Sequence, residues 1–129
     1  MMKKLKKRIE EDISFELAEA NRNYPLFASP HEGLAIIGEE LEEAKAEMRQ
    51  VDVWFGNLLQ NVYADEKESA EEDIEDIIRF ATNLACEAVQ VAAMGKKWQM
   101  GFERKNLKEM SMPELIAEKE KIEKEIRDR

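Results

Sequence analysis

Glu87 is the side chain whose surroundings most need a chemical explanation. Phe80 and Met94 lie seven residues to either side of it and Val91 one turn on. Spacings of three, four and seven put all of these on one helical face, so the carboxylate sits in an otherwise apolar stripe. Buried there without a partner, it would carry a heavy desolvation cost or take up a proton. A bound cation is one way to compensate it. A second acidic segment offers the other half of such a site: Glu40, Glu43 and Glu47 share a stripe bordering an apolar face, with Glu39 beside them. On the helix of Glu87, Asp76, Asn83 and Gln90 recur every seven residues and form a polar seam along the core edge. Oxygen donors on facing helices suit a hard cation such as Mg2+, with Mn2+ as the alternative. A single histidine and a single cysteine argue against structural zinc.

The ordinary alternative is a solvated acidic face with i,i+4 pairs to lysine or arginine. It stays open for the acids at 39–47. It accounts for Glu71, Glu72 and Asp73, which suit the positive N-terminus of a helix. It accounts for Glu87 least well, because the neighbours on its face are apolar.

The elements that carry these residues are legible from caps and periodicity. Leu5, Ile9, Ile13 and Leu17 predict a helix over 3–23, stopped at Tyr24-Pro25. Ser29-Pro30-His31-Glu32 is a capping box and opens a second helix. Its apolar face runs through Leu34, Ile37, Leu41, Ala44, Met48 and Phe55 to about residue 60, with Gly56-Asn57 as a candidate kink. A polar connection is expected over 61–68, and a second capping box, Ser69 with Glu72, to open the third helix. Ile74, Ile77, Ile78, Ala81, Ala85, Ala88 and Ala92 give that helix a broad apolar face, and Gly95 or Gly101 marks its expected stop. Ser111 with Glu114 opens a charged last helix with a thin seam of Leu115, Ile122 and Ile126.

The chain has 129 residues, 43% apolar and 38% charged, with five glycines and three prolines. That fits one helical domain, not disorder or a turn-rich β fold. The net charge of −9 argues against polymeric nucleic acid as a partner. No apolar run reaches the ~18–20 residues of a membrane span, so no membrane partner is expected. Lone Cys86 is read as a mid-helix packing residue, and the basic opening residues lack the apolar stretch of a secretory signal. A cytoplasmic protein is the expectation. His31 reads as a surface residue of a first turn.

Tyr24-Pro25, the run Ser29-Pro30-His31-Glu32-Gly33 leading into Glu39-Glu40-Leu41-Glu42-Glu43, and Glu87-Ala88-Val89-Gln90-Val91-Ala92-Ala93-Met94 together resemble the MazG-like all-α nucleoside triphosphate pyrophosphohydrolases. The resemblance is to small single-domain members of bacteria and their phages, and covers about residues 15–98. It implies an all-α bundle of four to five helices, with residues 1–104 as the bundle domain, and assembly as a homodimer or homotetramer; the charged C-terminal helix over 105–129 lies outside the resemblance and is read as a packing or oligomer contact. It also implies Mg2+-dependent hydrolysis of a nucleoside triphosphate to the monophosphate and pyrophosphate. The family's Glu-x-x-Glu pair matches Glu40 and Glu43. Its Glu-x-x-Asp pair is met by Glu87 and by Gln90, a departure that keeps an oxygen donor and loses a charge. The implied metal ligands are therefore Glu40, Glu43, Glu87 and Gln90. Glu39 or Glu43 is the candidate general base, and Lys97, Asn83 and Trp54 are candidate substrate contacts. Phe55, Phe80 and Trp98 are further candidate walls of a base pocket. Two other function classes remain beside this one: a non-catalytic nucleotide- or metal-binding module, and a structural or assembly protein.

Overall fold

The computed structural model describes residues 2–102 and 112–128, and every regular element among them is helical. These are α1 (Met2–Asn23), α2 (Pro30–Tyr63), α3 (Lys67–Phe102) and α4 (Met112–Arg127). The all-α expectation therefore holds for the described residues. The chain divides into two compact units: one holds residues 1–37 and 92–129, the other residues 38–91. Helices α2 and α3 each contribute to both.

In the first unit, α1 buries Ile13, Leu17 and Ala18, while Leu5 and Ile9 on the same stripe stay exposed. The Ser29 hydroxyl accepts the Glu32 N–H at 3.1 Å, so Ser29 caps α2 as its sequence predicts. Phe27, just ahead of that cap, is buried along with Ala93, Met94 and Met100 of α3. Gly33 is what allows this close packing. A Cβ at that position would stand 2.5 Å from Trp98 Cδ1 and 2.8 Å from Phe27 Cδ2.

The second unit is a helical hairpin. Its connection is shorter than the sequence suggests: α2 runs to Tyr63 without stopping at Gly56, and α3 begins at Lys67. Asp65 takes a left-handed conformation, φ 55°. Its N–H reaches the Val62 carbonyl at 3.2 Å and the Glu66 N–H reaches the Asn61 carbonyl at 2.9 Å. This pair of bonds is the Schellman cap, with aspartate where glycine is usual. The Glu66 carbonyl then accepts the Ala70 N–H at 2.9 Å, so Ser69 lies inside α3 and does not cap it. Helix α3 also passes through both Gly95 and Gly101, so neither glycine ends it. The Ser111 cap lies outside the described residues.

Side-chain burial in the hairpin departs from the sequence reading. Asp73, read as a solvated first-turn acid, is 4% exposed and accepts a 2.6 Å hydrogen bond from Asn61 Nδ2. The apolar faces expected to form core are largely uncovered: Leu41, Met48, Phe55, Ile74 and Ile78 are all exposed. Cys86 is exposed too, so it is not a packing residue within this chain.

Candidate metal centre

Helical rise and an antiparallel hairpin decide which residues of α2 meet which of α3. Glu43 and Glu87 stand at equal sequence distance before and after Asp65, and so do Glu47 and Asn83, and Glu40 and Gln90. Two of these pairs approach closely. One carboxylate oxygen of Glu87 lies within 4.8 Å of one of Glu43, and Asn83 Nδ2 donates to Glu47 Oε2 at 3.4 Å. The same register sets Gln90, half-buried, level with Glu40.

The result is a triad. One carboxylate oxygen from each of Glu40, Glu43 and Glu87 lies within 4.8 Å of the other two. Glu40 and Glu87 are half-buried and Glu43 is exposed. Like charges at about 4 Å repel by about 1 kcal/mol in water and about 4 kcal/mol at the effective dielectric of a protein surface. A proton or a cation among three ionised carboxylates at this spacing relieves that repulsion. Burial first, then the hydrogen bond to Glu43 and the charges of Glu43, Glu40 and Glu47, push the Glu87 carboxyl above the usual range. Burial, then Glu43 and Glu39, do the same for Glu40. Glu43 is common to both, its carboxylate standing beside each of the other two.

The donor set suits a hard cation. Carboxylate oxygens with an amide oxygen at the margin are the ligands that Mg2+, Mn2+ and Ca2+ take. Two oxygens on one Mg2+ are at most about 4.2 Å apart, given bond lengths of about 2.1 Å. A triad spanning 4.8 Å closes onto such an ion with small side-chain shifts.

The remaining sequence candidates fall around this centre or apart from it. Glu39 is exposed and acts on Glu40 through its charge. Asn83 is taken up by Glu47. Trp54 is half-buried further along α2, and its indole Nε1 is shielded from solvent without a hydrogen-bond partner among the described residues. Asp76 is engaged by Arg79 at 2.9 Å. Lys97 belongs to the first unit and is 3% exposed, with its ammonium 5.2 Å from the centre of the Phe27 ring. Burial pushes that ammonium below its ordinary pKa, and the Glu32 charge partly restores it. In the same unit Pro30, His31, Leu34, Ile37, Gly95 and Trp98 line an open apolar groove of about 550 Å³. Glu47 is the triad neighbour that the sequence had placed on the right stripe without a role.

No protein-family model, curated protein or solved structure matches this chain.

Proposed function

We propose that the chain is a Mg2+-dependent nucleoside triphosphate pyrophosphohydrolase, releasing the nucleoside monophosphate and pyrophosphate. The observation that carries the reading is the triad Glu40, Glu43 and Glu87, three carboxylates from two helices drawn within 4.8 Å with two of them pushed toward protonation. Such a cluster repels a triphosphate on its own. Bound there, Mg2+ would supply the positive charge that offsets both the carboxylates and the phosphate oxygens and that makes a bound water more acidic. Glu40, Glu43 and Glu87 would hold it, with Gln90 contributing a neutral oxygen.

Glu39 is the better candidate for the general base. It lies next to Glu40 but outside the triad, so its carboxylate is left to orient a water and accept its proton. Glu43 lies within the triad, between Glu40 and Glu87, and as a ligand it would already be engaged. Trp54, with its unpartnered indole N–H, is the candidate contact to the base or sugar. Assignment to the MazG-like family, and a cytoplasmic location, belong to this proposal.

The test is pyrophosphate release from a panel of ribo- and deoxyribonucleoside triphosphates with Mg2+, for the native protein and for Glu87→Ala. Metal-dependent release that Glu87→Ala abolishes, in a variant of unchanged helicity, supports the reading and identifies the substrate class. A folded native protein that binds Mg2+ and releases nothing sinks it. Gln90 in place of an acid then favours a binding module, and activity appearing in Gln90→Asp would identify the lost charge as the cause.

A further inference from the structure

The apolar stripe of α1 is covered along only part of its length. Ile13 and Leu17 are buried, while Met2, Leu5 and Ile9, which lead into them at one-turn spacings, are 72%, 48% and 37% exposed. Residues 2–12 are all exposed, so about three turns of helix stand uncovered on every side. A helix that short is marginal in water by itself, and most helical stability comes from packing an apolar face. The charge of this segment also sets it apart. Lys3, Lys4, Lys6, Lys7 and Arg8 are five of the chain's 20 cations, with no acid among them, in a chain of net charge −9. Among the described residues, none of the five enters an ion pair. At about 100° per residue, Met2, Leu5 and Ile9 fall within about 60° of the circumference. Lys6 stands on one flank of that stripe and Arg8 on the other.

We propose that the first two turns of α1, residues 2–9, dock on the anionic surface of a phospholipid bilayer. Met2, Leu5 and Ile9 enter the boundary between headgroups and acyl chains, and the lysine and arginine stems reach back to the headgroup phosphates. Three observations choose this occupant. Charge is the first. Lys3 to Arg8 span about 8 Å of helix axis, no more than the Debye length of about 8 Å at physiological salt, so one charged surface acts on all five together. Residue type is the second. Four of the five are lysines, compact point charges that suit a diffuse field, whereas a protein groove lined with carboxylates would favour the planar fork of arginine. The stripe is the third, because a nucleic-acid backbone would meet the cations and leave Met2, Leu5 and Ile9 in water. Glu10, Glu11 and Asp12 follow directly and limit the contact, so the third turn lifts away from the surface. A helix lying in an interface needs no spanning length, so run length does not decide against it. By length and composition α3 comes nearer to a span, with an 18-residue window of mean hydropathy 1.2, 11% of it buried. It also carries Glu87 among two further carboxylates, and such a cluster is strongly disfavoured in hydrocarbon.

This proposal is independent of the hydrolase reading, and its test reads partition, not activity. The whole chain should co-sediment with phosphatidylcholine vesicles that contain phosphatidylglycerol, and stay in the supernatant with phosphatidylcholine alone. Raising the salt from about 0.1 M to about 1 M shortens the Debye length from about 10 Å to about 3 Å and should release most of the bound protein. Each cation near the surface is worth about fivefold in partition, so the triple variant Lys3→Gln, Lys6→Gln, Lys7→Gln should bind about a hundredfold more weakly. Leu5→Gln should lose at least about tenfold. These positions are exposed and glutamine is close to leucine and lysine as a helix former, so the fold survives the changes. Lys45→Gln, at an exposed lysine of α2, should bind as the native chain does. Equal binding to both kinds of vesicle overturns the proposal, in favour of an apolar face elsewhere. Binding to neither kind overturns it too, as does anionic binding that either α1 variant leaves intact. A chain that ignores the vesicles and retards a DNA duplex assigns the same cations to nucleic acid instead.

Discussion

One carboxylate oxygen of Glu43 and one of Glu87 lie within 4.8 Å of each other across the hairpin, and each residue stands 22 positions from Asp65. Two ionised carboxylates at that spacing repel, and a proton or a cation between them relieves the repulsion. The register thus fixes a proton-or-metal choice at the point where α2 and α3 bring their acids together.

That choice makes stability depend on pH with a definite sign. The folded chain holds the protons of Glu87 and Glu40 above the ordinary value of 4.5, so it binds them more tightly than the unfolded chain does. These groups favour the fold fully below 4.5, and their contribution is lost as pH rises through the raised values. In metal-free buffer, the melting temperature of Glu87→Gln should therefore gain on that of the native protein between about pH 4 and about pH 8. Mg2+ at neutral pH should raise the native melting temperature and leave that of Glu87→Gln nearly still. A difference between the two proteins that is flat with pH would sink this account of the triad.

Asn61 secures the closed end of the hairpin through its bond to the buried Asp73. In Asn61→Ala the carboxylate keeps its burial and loses its donor. Urea unfolding should show a loss of about 1–3 kcal/mol, with the denaturant slope unchanged. A loss confined to a few tenths of that would mean that Asp73 finds water instead.

Asp65 occupies the left-handed position that glycine fills at low cost. Asp65→Gly should stabilise the chain by a few tenths of a kcal/mol, and Asp65→Ala should destabilise it by about 1 kcal/mol. Opposite signs for two small neutral residues are the signature to look for in chemical denaturation.

Lys97 is a nearly fully buried cation whose neighbour is the Phe27 ring. Replacing it by methionine keeps most of the volume and removes the desolvated charge. Lys97→Met should match or exceed native stability, and KM for a triphosphate should not move, because the ammonium is 3% exposed. A rise in KM with stability unchanged would return Lys97 to the substrate contacts.

Local signals in the sequence were reliable where one residue's chemistry decides the outcome. Ser29 with Glu32 caps α2, Tyr24-Pro25 follows α1, and Glu40, Glu43 and Glu87 converge. The misreadings share a cause. Ser69 resembles a cap as strongly as Ser29 does, but the Schellman bonds around Asp65 start α3 three residues earlier. Asp73 looks like any first-turn acid until Asn61, twelve residues back, folds over it. Periodicity marks Leu41, Phe55 and Ile78 as an apolar face, but it does not say whether the rest of the chain covers it. Those outcomes depend on what the hairpin brings near, and a linear pattern carries no such information.

The three-residue connection has a mechanical consequence. At 1.5 Å per residue, Glu43 and Glu87 sit about 33 Å from the bend at Asp65. Over such a lever a splay of five degrees separates the acids by about 3 Å, enough to break the triad. A turn alone cannot supply that stiffness. The aim of these carboxylates is set by whatever grips the shafts of α2 and α3 along their length, so an alteration far from any acid could detune the centre without touching it.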